Sequence, residues 1–179
     1  MKSLWALFLG LMVGTAMHAA DAPASVAELF ATPENLRVVR SAEKVDVCIL
    51  KHIDAVTRPD GSVDRSTEQY EETSFVPVPT DVAADLRELL LNGKTYDWKA
   101  GYGGHRPQFY LRIRFQRGQE TIAIDFCFLC HVLSLTRQGI EVGHANFNPN
   151  SDLFLQAFLK LFPEDAPLRQ VAKESGLPQ

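Results

Sequence analysis

Methionine is absent after residue 17: Met1, Met12 and Met17 all stand near the amino terminus. The rest of the chain therefore holds no thioether to serve as an axial haem ligand. Cysteine is scarce, three in 179 residues, too few for the disulfide scaffold that replaces a core in small secreted domains. No basic stretch occurs, and the formal net charge is −4. Phosphate binding needs clustered cations, so no nucleic-acid partner is expected. No apolar run reaches the roughly 20 residues of a membrane-spanning helix, which excludes a multi-pass membrane protein. G-x-S-x-G, H-E-x-x-H, Walker and EF-hand patterns are all missing. His52, His105, His131 and His144 have no carboxylate at informative spacing, so no Ser/His/Asp triad can be proposed.

What is present suits one ordinary domain. Apolar residues make up 46% of the chain and charged residues 22%, enough to build a real core. The first twenty residues read MKSLWALFLGLMVGTAMHAA. Lys2, the apolar stretch Leu4 to Ala16 and the small pair Ala19-Ala20 have the three-part form of a secretory signal. The expectation is a signal peptide over 1–20, a single domain over 21–179, and a periplasmic or secreted protein with no membrane span once the signal is removed. No cysteine lies near the exit, so a lipid anchor is not expected.

Local patterns outline the elements. Ser25 to Ala31 reads as a short helix capped by Ser25, with Pro33 blocking its continuation. Val45, Val47 and Ile49 alternate as in a half-buried strand running to Ile53. Arg58 to Ser74 is a long polar hairpin loop around Pro59-Asp60-Gly61, and Phe75 to Val78 returns as an edge strand. Thr80 is the expected cap of an amphipathic helix over Asp81 to Leu91. Leu111, Ile113 and Phe115 alternate with Arg112 and Arg114, and Gly118 turns the chain into TIAIDFCFLCHVLSL. That segment reads as one continuous central strand. Gln138-Gly139 turns into a strand over Ile140 to His144, then Asn150 or Ser151 caps a helix over Asp152 to Phe162 and Pro167 opens a last one. The fold class is α+β: an antiparallel sheet of about four to six strands with helices packed mainly on one face.

Chemistry concentrates at Cys127-Phe128-Leu129-Cys130-His131, literally C-x-x-C-H, the attachment signature of c-type haem with His131 as iron ligand. A straight strand argues against it, because it sends Cys127 and Cys130 to opposite faces about 10 Å apart. Such separation suits neither a haem clamp nor a disulfide. Five readings stay open: covalent haem, a Cys127–Cys130 disulfide made by a turn or bulge, a disulfide from Cys48 to one of them, zinc bound with His131 or His105, and small buried hydrophobes. Asp125 is expected to pair across the hairpin with Arg112 or Arg114. In the loop Lys94 to Pro107, which contains GYGGHRP, His105 and Arg106 are candidates for a ligand-facing pair, and Trp98, Tyr96 and Tyr102 for an aromatic binding rim.

From Asp81 onward the chain resembles a broad family of uncharacterised bacterial proteins, often secreted or lipoprotein-like. The pieces that carry the resemblance are LRELLLNGKTYDW, RPQFYLRIRFQRGQETIAIDFCFLC and FLQAFLKLFPEDAPL, with Cys127-Phe128-x-Cys130 and Leu161-Phe162-Pro163 the sharpest. The resemblance implies an α+β fold and brings no established activity. His131 departs from the family pattern, as does Gly103-Gly104-His105 where many members carry a cysteine.

The leading functional expectation is a non-enzymatic binding or inhibitor-type module with a protein partner in the cell envelope and no cofactor. The alternative is a redox, zinc or haem c protein centred on Cys127, Cys130 and His131.

Overall fold

The computed structural model describes residues 25–64, 69–100, 107–147 and 151–177. The segment read as a signal peptide, and Asn150, lie outside the described residues.

Ser25 is extended and accepts the Glu28 amide at 3.2 Å, starting α1 (Val26–Leu29). Pro33 does not merely block that helix. It opens a second one, α2 (Pro33–Arg40), whose cap Thr32 accepts the Asn35 amide at 3.2 Å. A first-turn proline loses no helical hydrogen bond, which is why a residue read as a stop serves as a start. In α3 (Thr80–Leu91), Thr80 is the first helical residue rather than the cap. The extended Pro79 precedes it and supplies no side-chain bond, only its carbonyl to the Ala83 amide.

The sheet comprises β1 (Lys44–Ile53), β4 (Gln69–Glu72), β5 (Val76–Pro77), β6 (Leu111–Arg117), β7 (Glu120–Cys127), β8 (Val132–Arg137) and β9 (Ile140–Asn146). Its order is β4-β1-β6-β7-β8-β9, with β5 also paired to β1, and every pairing is antiparallel. The long connection between β1 and β4 carries its own two-stranded ribbon, β2 (Val56–Thr57) with β3 (Val63–Asp64). Gln138 and Gly139 both adopt positive φ, 52° and 77°, the requirement of a two-residue type I′ hairpin between β8 and β9.

One expectation fails in an instructive way. TIAIDFCFLCHVLSL is not one strand: β7 ends at Cys127, and Phe128 to His131 turn the chain back into β8. Both strands are apolar where they flank the turn, so the hydrophobic pattern runs through unbroken. The turn contains no Gly, Pro or Asn to announce it. His131 takes the left-handed conformation instead, at φ 52°, which is uncommon for a residue with a Cβ.

One sheet face bears Val47, Ile113, Ile124 and Leu135 in register across four strands, all fully buried. They join residues of α1 to α3, α4 (Ser151–Leu161) and α5 (Ala166–Glu174) in a single core. The helices thus cover one face, as the alternation on β6 implied. On α4 the inward residues are Phe154, Leu155, Ala157 and Phe158, while Leu159 and Phe162 are only partly buried.

Candidate functional site

The turn after β7 is closed covalently. Cys127 and Cys130 form a disulfide with Cα atoms 5.6 Å apart. This corrects the straight-strand geometry, which would hold those cysteines on opposite faces. The two sulfurs are bonded to each other, so thioether attachment or metal coordination through both thiols would first require reduction. The His131 ring meets Phe147 edge-on at 6.2 Å. Among the described residues no group of three or more His, Cys, Asp or Glu side chains is placed to hold a metal ion.

Cys48 is a free, buried thiol. Its pairing with Cys127 or Cys130 would have needed β1 beside β7, but β6 lies between them. Two strand spacings separate Cys48 from β7 by about 10 Å, beyond disulfide reach. Burial, followed by the nearby Glu72 carboxylate, pushes the Cys48 thiol up to about 11.

The face that carries Cys48 is charged. Arg112 stands directly opposite Asp125 and donates to it from Nε (2.6 Å) and Nη2 (2.7 Å), reaching Glu72 with Nη1. Arg114 stands opposite Asp46 on the other neighbouring strand and donates at 2.8 and 3.0 Å. The expected cross-strand partner of Asp125 is therefore Arg112, and Arg114 serves β1. Burial holds the Asp125 carboxyl above the ordinary carboxylate range despite Arg112, helped by the Glu72 and Glu141 carboxylates. Asp46 shifts the other way: burial alone would raise it, but Arg114 and Lys44 more than reverse that. A strand pair saturated with bidentate ion pairs has little capacity left for a charged ligand.

The end of the sheet is different. A cavity of about 440 Å³ opens between the carboxy-terminal part of β1, residues 108–110, the disulfide turn and the first turns of α5. Its walls are mostly apolar: Ile49 and Leu50 from β1, Phe109, Phe128 from the turn, Leu168 and Val171 from α5. Polar bonds brace this frame. The Tyr70 hydroxyl donates to the Pro107 carbonyl at 3.1 Å and accepts the Phe109 amide at 3.3 Å, tying β4 to the cavity wall. The Tyr110 hydroxyl donates to the Asp165 carboxylate at 2.8 Å, and Asp165 in turn caps α5 by accepting the Leu168 amide at 2.9 Å. Burial, then that carboxylate, raises the Tyr110 phenol, so it stays a donor across the ordinary pH range. Leu129 also lines the cavity and is 71% exposed. Volume and composition match sites that accept apolar groups.

No family model, curated protein or solved structure matches this chain. The geometry alone carries the functional argument.

Of the residues expected to form a binding rim, Tyr102, His105 and Arg106 lie outside the described residues. Trp98 is placed away from the cavity lining: its Nε1 donates to the Gly93 carbonyl at 2.9 Å and its ring packs at a tilt against Tyr96, centroids 4.7 Å apart. Tyr96 is itself buried and donates to the Leu90 carbonyl at 2.7 Å, so this pair fastens the loop to the end of α3. The cavity has almost no signature in the local sequence. Its walls come from four separated segments, each of which reads locally as core, loop or cap. The one local cue was Leu129, an aliphatic residue between two cysteines.

Proposed function

We propose that the protein is an exported binding module that takes apolar anchor side chains of a cell-envelope protein partner into the cavity beside the Cys127–Cys130 turn. The observation that carries this reading is the apolar cavity with Leu129 standing exposed at its edge. A leucine left 71% exposed between two linked cysteines gains little for the fold; covered by a partner, it returns hydrophobic free energy of up to about 1.5–3 kcal/mol. Tight interfaces concentrate their energy in such pockets, filled by one or two large side chains. Export agrees with the amino-terminal sequence and with a disulfide, which persists in oxidising compartments.

The test is affinity capture from envelope extract with immobilised wild-type chain and the Leu129→Asp variant. A protein retained by the wild type and lost with the variant is the expected result. Retention of the same proteins by both, or of none by either, would reject the reading.

A further inference from the structure

The disulfide and the cavity share a wall. Phe128 and Leu129, the two residues enclosed by Cys127 and Cys130, both line the cavity. Their anchoring differs. Phe128 is 4% exposed and packs among Phe126, Phe147 and Phe158, with ring centroids 5.8–6.0 Å away. Leu129 is 71% exposed and has no such aromatic seat, and the covalent bond closes the turn that carries it. The turn also depends on a left-handed His131, whose carbonyl accepts the Phe147 amide at 2.8 Å. The two cysteines differ in exposure as well: Cys127 is 1% exposed, whereas Cys130 is partly exposed.

We propose that the Cys127–Cys130 disulfide is a redox control on this cavity: oxidised, it presents Leu129 as a fixed wall, and reduction by a dithiol weakens binding there. The inference rests on the binding role of the cavity given above. The chemistry is thiol–disulfide exchange. A thiolate of the reducing dithiol attacks Sγ of Cys130, the less buried of the two cysteines. A mixed disulfide forms, the Cys127–Cys130 bond breaks, and its electron pair leaves on Cys127 as a thiolate that takes up a proton. The second thiol of the reductant then attacks the sulfur of its own that is joined to Cys130, releasing Cys130 as a thiol. The reductant is oxidised to a disulfide, losing two electrons and two protons, and the protein gains both. After reduction Phe128 keeps its aromatic neighbours, while Leu129 and Cys130 must be ordered again each time the cavity is filled. Ordering one side chain with its turn corresponds to about 3- to 10-fold in affinity.

The experiment uses the apolar fluorescent probe N-phenyl-1-naphthylamine, titrated into oxidised protein, into protein reduced with a dithiol, and into a Cys127→Ser/Cys130→Ser variant. Mass after alkylation verifies the thiol state, and circular dichroism verifies the fold. The expected result is saturable binding to the oxidised protein, abolished by Leu129→Asp, with dissociation constants about 3- to 10-fold higher for the reduced and serine forms. Equal affinity in both redox states overturns the control but leaves the cavity reading standing. Absence of probe binding in every state overturns the cavity reading, and the control falls with it. Global unfolding of the reduced wild type also overturns the proposal, because the bond would then determine the whole fold rather than one wall. Should the serine variant alone fail to fold, the reduced wild type carries the comparison.

Discussion

Arg112 and Asp125 face each other across β6 and β7, joined by two charge-assisted hydrogen bonds of 2.6 and 2.7 Å. Asp125 is 5% exposed, so its charge exists in the sheet only because Arg112 compensates it. Replacing Arg112 with alanine strands that carboxylate. Breaking a buried pair costs about 3–5 kcal/mol, and the partial exposure of Arg112 puts this one near the lower end. Urea unfolding of Arg112→Ala, Asp125→Ala and the double variant should show the double losing less than the two singles together. Strict additivity would mean the pair is energetically idle.

Asp46 makes stability depend on acid. Its carboxyl is held below the ordinary value of 3.8 by Arg114 and Lys44. A depressed folded-state value means its contribution is full above that point and is lost as the pH falls through the folded value. Asp46→Asn should cost roughly 1.5–3 kcal/mol at neutral pH, the range for hydrogen bonds to charged groups. The gap to wild type should close below pH 3.8, and a gap that stays constant on acidification would contradict the assignment.

Cys48 makes the opposite limb. Its thiol is neutral when buried and rises from 9.0 to about 11. The stabilisation is therefore fully present below pH 9.0 and lost as the pH climbs towards 11. The alanine variant Cys48→Ala should lack this alkaline loss. Thiol titration offers a companion check: without reductant, the denatured chain should release one reactive thiol, and after reduction three.

Gly143 lies where α1 meets β9. A Cβ there would collide with the Leu29 carbonyl oxygen, a backbone atom that cannot swing aside. Gly143→Ala should destabilise by about 1–3 kcal/mol or more through overpacking. At Gly61, by contrast, an added Cβ meets open space and only the positive φ of 83° resists it. Thermal unfolding that ranks Gly61→Ala as the more damaging change would refute the close approach.

Tyr70 braces the cavity wall through both its ring and its hydroxyl. Tyr70→Phe keeps the ring packing against His52 and Phe109 but removes both bonds to residues 107–109. A loss of roughly 1–2 kcal/mol follows from two part-buried hydrogen bonds. Probe binding to the cavity should weaken alongside, and unchanged binding would show that the wall holds without them.

Local sequence sufficed wherever one side chain meets one neighbouring backbone. Ser25 capping α1, the strand alternation of β6, the Gln138-Gly139 hairpin and Asp125 with a cross-strand arginine were all legible, because periodicity and turn chemistry act over a few residues. The same apolar period concealed the break after Cys127, since hydrophobicity reports which residues are buried and not whether the chain reverses between them. Tertiary structure alone decided three things: that Cys127 joins Cys130, that β6 keeps Cys48 apart from both, and that four segments distant in the chain enclose a cavity at the end of the sheet. Each is a matter of which surfaces come together in space, and that is settled by packing the whole sheet against its helices rather than by any single stretch of residues.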